Sequence, residues 1–453
     1  MQDSRLSLVY ELNRVNNVTV NTPCGPTDAF SLYDIVQQGG GWGPIECSVS
    51  IDKLGRTCTK RQQYSYKYKE KVTIVPLAMV DDLLAIAPCG LESLAVNTFI
   101  NVHIEMKRLK FHTTDKKKVS ECHQLHVGKS NMYCPELKVQ GIVMPKASYD
   151  SYLGDIVSSD GTNKLNIEKR IVKGRGKLAE IIGSLNKLSF GRHFFRIAMM
   201  MRESLFLGSM LTISEVWYQL TKTEIAEFEV LDRRLLTNVC SLPSLTPSDA
   251  LYLELGCLQV GYLQYLFKLD QREMLSRFFW CQWLQNRKHD WTSQVRCDLR
   301  DFGLTIDLVE IKKESKLSLK NLVKRKAKEF EFNRLFQKGN NKSKTCKLQY
   351  EKLEIQKYLI EASTRDAKTV LKYRLGMGDF SGNFKGDGPV KLCPLCAEHD
   401  DLQNLIFQCP VVRNLQQNES VHYDEIFGSE ISATLVDKLN KIERIRTEVK
   451  DCP

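Results

Sequence analysis

The stretch Leu77-Ala78-Met79-Val80-Asp81-Asp82-Leu83-Leu84-Ala85-Ile86 limits what this chain can fold into more than any other. Two adjacent aspartates interrupt an apolar run. Burying neighbouring carboxylates is costly unless something cancels their charge, so one continuous core element is excluded. Each flank has the length of a short buried strand, with the turn falling on the carboxylates. The pattern predicts an antiparallel hairpin of residues 75–79 and 83–87, with Asp81 and Asp82 at its tip, packed on helices over 44–54 and 91–109. In the second helix Leu91, Leu94, Ala95, Phe99, Val102 and Met106 recur at three- and four-residue steps. Paired carboxylates suit a hard divalent cation, and Mg²⁺ commonly takes one or two of them together with substrate phosphates. A solvated Asp-Asp turn without an ion is the plain alternative.

Upstream lies the loop Gln38-Gly39-Gly40-Gly41-Trp42-Gly43-Pro44, whose proline suits the first turn of a helix. Glycine-rich loops that open helices can cradle phosphates, but this one lacks the Lys-Ser/Thr of a P-loop. Downstream come Leu125-His126-Val127-Gly128-Lys129 and Tyr152-Leu153-Gly154. In that order these motifs resemble the palm of reverse transcriptases from non-LTR retrotransposons. Gln38 to Pro44 resembles the family's Q-G-x-x-x-S-P loop, with Gly43 in place of the serine. Met79 to Asp82 resembles its aromatic-x-D-D box, with Met79 in place of the aromatic, and Tyr152-Leu153-Gly154 the start of its primer grip.

The resemblance implies an RNA-directed DNA polymerase acting on an RNA template and a DNA primer. Asp81 and Asp82 would be catalytic and hold Mg²⁺; Gln38 and Gly39 would contact template and nucleotide; Tyr152, Leu153 and Gly154 would position the primer. The family also carries a D-x-x-x-F/Y motif some tens of residues before the Q-G loop, and no aspartate before Gln38 fits it. Asp3 has Ser7 at the fourth place, and Asp28 sits in a turn and strand beside the loop. The expectation is a chain that begins just after that motif. Two-metal phosphoryl transfer needs carboxylates bridging both ions, so the site reads as incomplete. A non-catalytic nucleic-acid-binding fragment is therefore the alternative to the polymerase.

Lys and Arg outnumber Asp and Glu by 65 to 54, a net charge of +11 that favours polyanionic partners. The 15 cysteines are odd in number and scattered, as expected of reduced thiols in an intracellular protein, nuclear or cytoplasmic. Met1 to Arg5 shows no signal-peptide pattern, and the apolar segment Ile197 to Ile213 is broken by Arg202-Glu203, so no membrane span is expected.

From Asn163 to about residue 300 the pattern is helical. Ile167, Ile171, Leu178, Ile181, Ile182 and Leu185 form one face, with Lys164, Lys169, Arg170, Lys173, Arg175 and Lys177 on the others; Ala198–Trp217 and Glu224–Leu236 give further helices. This resembles the family's thumb, whose basic face grips the nucleic-acid backbone, although a solvated face gives the same pattern. Residues 312–348 carry the densest run of lysines and read as a basic, mostly helical linker. Cys393-Pro394-Leu395-Cys396, with His399 and Cys409, suggests tetrahedral Zn²⁺ and resembles the family's C-terminal knuckle. There the histidine stands five residues before the last cysteine, where this chain has Asn404. His399 is then the fourth ligand, or the knuckle is a metal-free remnant. The fold class expected is α+β: a partial polymerase palm with a small antiparallel sheet (1–158), a helical thumb (159–300), the basic linker (301–385) and the knuckle with a C-terminal helix (386–453). Nothing in the sequence fixes an oligomeric state.

Overall fold

The computed structural model describes residues 15–19, 21, 22, 25, 26, 28–33, 66–68, 72–74, 77–79, 82–106, 122–127, 133–187, 190–212, 214, 217, 220–261, 297, 300, 303, 316–342, 350–378, 392–398, 405, 408–415, 423–428 and 431–450. The chain is mixed α+β and mostly helical, and it divides into two compact units, residues 1–162 and 163–453. No helix among the described residues is long and apolar enough to cross a membrane.

In the first unit the described strands pair two by two. β1 (Val15–Val18) lies antiparallel to β4 (Phe30–Tyr33). β2 (Asn21–Thr22) turns back on β3 (Gly25–Pro26), and β5 (Tyr66–Tyr68) on β6 (Val72–Ile74). The aspartate hairpin forms from β7 (Leu77–Met79) and β8 (Asp82–Leu84), with Met79 opposite Asp82 and Leu77 opposite Leu84. Asp82 therefore heads the second strand; positions 80 and 81, between the strands, lie outside the described residues, as does the helix expected over 44–54.

The helix expected over 91–109 is α1 (Gly90–Met106), and Leu83 of the hairpin packs on it with Phe99. Its buried face corrects the expected stripe. Val96, Ile100, His103 and Ile104 are buried, whereas Leu91, Leu94, Val102 and Met106 are exposed. The helix is apolar on both faces, so periodicity could not choose between them. Two asparagines one turn apart set its rotation by satisfying the backbone of β10 (Lys138–Val139). Asn97 Oδ1 accepts from Lys138 N at 3.2 Å, and Asn101 Nδ2 donates to Lys138 O at 2.6 Å. Asn101 Oδ1 also accepts from Gln140 N at 2.9 Å. A short parallel ladder joins β9 (Gln124–Leu125) to β12 (Lys146–Ala147).

Two tight hairpins follow the same design. β10 turns into β11 (Ile142–Val143) through Gln140 (φ 50°) and Gly141 (φ 81°), and β13 (Tyr149–Tyr152) into β14 (Asp155–Ser158) through Leu153 (φ 50°) and Gly154 (φ 83°). Positive φ at both central positions is the primed turn that matches strand twist and favours Asn-Gly. Leucine is a poor choice at such a position, costing about 1–2 kcal/mol in the left-handed region. We expect Leu153→Asn to stabilise the first unit by about 0.5–1 kcal/mol in chemical denaturation. An unchanged or lower stability would mean that the exposed leucine makes a contact worth more than its backbone strain.

The second unit is helical. α2 (Lys164–Lys187) buries Ile167, Ile171, Ile181 and Leu185, as the spacing predicts. Arg170 is a correction: it is buried, with Nη1 donating to Ser209 O at 3.4 Å, because position 170 lies between Ile167 and Ile171 on the inward face. Gly174 lets α2 approach its neighbour; a Cβ there would sit 2.8 Å from Met210 Sδ. The helix expected over 198–217 runs from α3 (Phe194–Met201) through a π-helical turn (Arg202–Leu207) to α4 (Gly208–Leu211). Trp217 stands apart from it, buried and stacked on Phe228 at 6.0 Å. α5 (Lys222–Cys240) starts earlier than the apolar periodicity suggests because Thr221 and Glu224 close a capping box.

The wide π turn carries Arg202, which is 1% exposed, onto Asp232 of α5. Its Nε and Nη2 donate to the two carboxylate oxygens at 2.7 and 2.6 Å. Tyr252 in α6 (Ser248–Leu255) donates to Oδ2 at 2.7 Å. α7 (Lys316–Lys342) supplies the helix expected in the lysine run. Beyond it come α8 (Lys357–Glu361), α9 (Thr364–Arg374), α10 (Pro410–Leu415), α11 (Tyr423–Phe427) and α12 (Ala433–Lys450). Residues from α2 through Leu335, Tyr373, Cys409 and Leu439 share one continuous hydrophobic core.

Candidate active site and metal centre

Asp82 and Tyr152 are far apart in sequence, and in the first unit the Asp82 carboxylate lies within electrostatic range of the Tyr152 phenol. Strand alternation puts Asp150 and Tyr152 on the less exposed face of β13, with Tyr149 and Ser151 on the other. Burial raises the Tyr152 phenol above its ordinary range, and the Asp82 carboxylate adds to that shift. A phenol held protonated beside a carboxylate is a hydrogen-bond donor at neutral pH. Asp82 is exposed at the head of β8. Leu153 and Gly154 form the turn that directs the end of β13. Asp81, Gln38 and Gly39 lie outside the described residues.

One partner of this face was not singled out from the sequence. His123 Nδ1 lies 3.0 Å from Asp150 Oδ2, and Asp150 Oδ1 accepts from Ser151 N at 2.7 Å. The alternation Tyr149-Asp150-Ser151-Tyr152 placed Asp150 beside Tyr152, but nothing local pointed to His123. Among the described residues neither Asp82 nor Asp150 belongs to a group of three donors that could hold a metal.

Such a group exists in the second unit. The sulfurs of Cys393, Cys396 and Cys409 all lie within 4.8 Å of one another. Thiolates about 2.3 Å from a tetrahedral ion are themselves roughly 3.8 Å apart, so the three can hold a metal ion with little movement. Local backbone explains the convergence. Cys393 N donates to Glu398 O at 2.7 Å and Ala397 N to Cys393 O at 2.9 Å, with Ala397 in the left-handed region (φ 59°), so the loop folds back on itself. Cys409 immediately precedes α10. Burial pushes its thiol up, and the Cys396 sulfur adds to this, while the backbone amides of Val412 and Val411 favour its thiolate. Cys393 is 2% exposed and Cys409 0%. Three soft thiols, two of them buried, suit a thiophilic ion better than a hard one. His399 and Asn404 lie outside the described residues.

The basic surface is divided. Lys164, Lys173 and Arg175 of α2 are exposed, while Lys169 and Lys177 are half-buried and Lys177 pairs with Glu180 at 2.6 Å. On α7, Lys324 and Arg325 are exposed and Lys328 is half-buried. Set against protein-family models and against curated proteins, the chain matches none.

Proposed function

We propose that this chain is a nucleic-acid-binding protein built like a non-LTR reverse transcriptase, with a hairpin site at Asp81 and Asp82 for a divalent cation and Zn²⁺ at Cys393, Cys396, Cys409 and His399. The observation that carries this reading is that the Asp82 carboxylate lies within electrostatic range of the Tyr152 phenol. A polymerase palm needs the aromatic-x-D-D box and the primer grip in one neighbourhood, and these two residues belong to the hairpins that bear them. The net charge of +11 and the exposed lysines of α2 and α7 support a phosphate-rich partner.

Within these residues the carboxylates of the hairpin have no D-x-x-x-F/Y companion ahead of Gln38. Two ions held by too few carboxylates are poorly positioned for in-line transfer, a reaction that depends on their geometry. The chain as written is therefore expected to bind primer–template and to extend primers only at background level. Binding should weaken steeply with added salt, because each phosphate contact releases counterions. The test is primer extension in Mg²⁺ or Mn²⁺, run beside an Asp81→Ala, Asp82→Ala double variant. Template-dependent synthesis that the double variant abolishes would make the chain a complete polymerase and overturn the non-catalytic reading.

The zinc assignment has its own test. Three thiolates and one poorly spaced histidine should bind zinc more weakly than a full set, so Asn404→His is expected to tighten binding and Cys409→Ser to abolish it. Metal analysis of the purified protein reads both. Full occupancy that survives His399→Ala would remove His399 from the ligand set.

A further inference from the structure

The second unit holds a groove of about 420 Å³ that none of the motifs above accounts for. One wall is α7, which contributes Lys324, Arg325, Lys328 and Phe332; the other is the segment after it, with Glu351 and Lys352. We propose that this groove binds a short run of single-stranded nucleic acid, with phosphates along Lys324, Lys328 and Lys352 and a base against Phe332. The proposal deepens the nucleic-acid-binding reading and rests on it.

Both walls are fixed before any ligand arrives. α7 buries Val323, Ala327 and Leu335 completely, and Arg334 donates to Gln259 Oε1 at 2.7 Å. The opposite segment is anchored by Leu353, which is 3% exposed, and by Gln356 N donating to Glu254 O at 3.1 Å. The two walls thus hang on the same stretch, residues 254–259. A preformed groove loses little conformational entropy on binding.

Its chemistry separates nucleotides from simpler anions. Arg325 lies 3.8 Å from Glu329, and Lys352 lies 3.0 Å from Glu354. Among the described residues Lys324 and Lys328 carry no ion pair, and they stand one helical turn apart, about 6 Å along the axis. Two uncommitted ammonium groups in line match a repeating anion. An all-basic trough would suffice for phosphate alone, yet Glu329, Glu351 and Glu354 also line this one, the first and last paired with Arg325 and Lys352. A carboxylate can accept from the exocyclic amino group of a base, whereas it repels an acidic peptide. Phe332, stacked on Phe336 with centroids 5.6 Å apart, offers a ring held in place, and base stacking on such rings tolerates any sequence.

The experiment is fluorescence anisotropy on the full chain with a labelled single-stranded RNA and, separately, a blunt RNA–DNA duplex. Lys324→Ala with Lys328→Ala should weaken single-strand binding about tenfold and lower the slope of log affinity against log salt by about 1.4, twice the roughly 0.7 per phosphate contact. Phe332→Leu, which keeps the apolar packing, should cost about tenfold, and Phe332→Tyr should restore binding. Duplex affinity should stay within about twofold in the Phe332 variants, because a paired base is not free to stack on the ring. Single-strand binding unchanged in the lysine and leucine variants overturns the groove while leaving the wider reading intact. Single-strand binding that depends on these residues in a chain with no affinity for primer–template upholds the groove and overturns the wider reading. Equal competition by polyglutamate overturns the assignment to nucleotides.

Discussion

Replacing Glu254 by alanine is expected to destabilise the second unit by about 3–5 kcal/mol, the range for breaking a buried ion pair by removing one partner. Glu254 and Arg374 are both 0% exposed, and Arg374 Nε donates to Glu254 Oε1 at 2.7 Å. Tyr350 donates to the same oxygen at 2.6 Å and Tyr358 to Oε2 at 2.9 Å. Burial and the adjoining carboxylate hold both phenols well above their ordinary range, so they remain donors. Arg374 also donates through Nη1 to Ile426 O at 2.6 Å and Gly428 O at 2.8 Å, and its guanidinium lies 5.5 Å from the Tyr358 ring. Burial alone would favour its neutral form, but the charge of Glu254, the two phenols and the hydrogen bond to Glu254 together more than offset this. Loss of Glu254 leaves a cation and two hydroxyls in the core without their acceptor.

The accompanying test is a double-variant cycle in chemical denaturation. Glu254→Gln with Arg374→Met removes both charges, so its loss should fall well short of the sum of the two single losses. Additive losses, or a Glu254→Ala loss below about 1 kcal/mol, would mean that the pair is not buried and bonded as described.

These buried charges mark where sequence reading stops. An isolated arginine reads as a surface residue, and in Arg202, Arg374 and Arg170 that prior fails. The partners of the first two stand 30 and 120 positions away, so no local pattern points to them. The rotation of α1 was hidden for the same reason: Asn97 and Asn101 find their partners on β10. What was legible is local. An apolar run broken by Asp-Asp makes a hairpin, Cys-x-x-Cys with a later cysteine makes a cluster, and Ile167 to Leu185 names the inward face of α2. The capping box Thr221-x-x-Glu224 is equally local, and a reading by apolar periodicity alone passes over it and begins the helix later. That Asp82 lies within electrostatic range of Tyr152 was suggested by resemblance and by no spacing. His123 on Asp150 was suggested by neither.

The second large effect is expected at Gly256, where alanine should cost about 3–5 kcal/mol, combining left-handed backbone strain with overpacking. Gly256 ends α6 at φ 63°, a conformation that costs a residue with a Cβ about 1–2 kcal/mol. The larger part comes from close approach. A Cβ there would lie 2.1 Å from the carbonyl carbon of Glu354 and 2.2 Å from Ile355 N. Both obstacles are backbone, so no side chain can swing aside. The segment bearing them cannot retreat cheaply, because Leu353 is buried and Gln356 N is bonded to Glu254 O. Gly303 isolates the two contributions: it has φ 70° and nothing within 4 Å of its missing Cβ, so Gly303→Ala should cost only the backbone part, about 1–2 kcal/mol. Equal losses for the two variants would refute the close approach. Unequal losses should carry a functional sign as well, since residues 351–354 form one wall of the groove. Any shift that accommodates the new methyl displaces Lys352 relative to Lys324 and Lys328, so Gly256→Ala protein that still folds should lose single-strand affinity while keeping its duplex affinity.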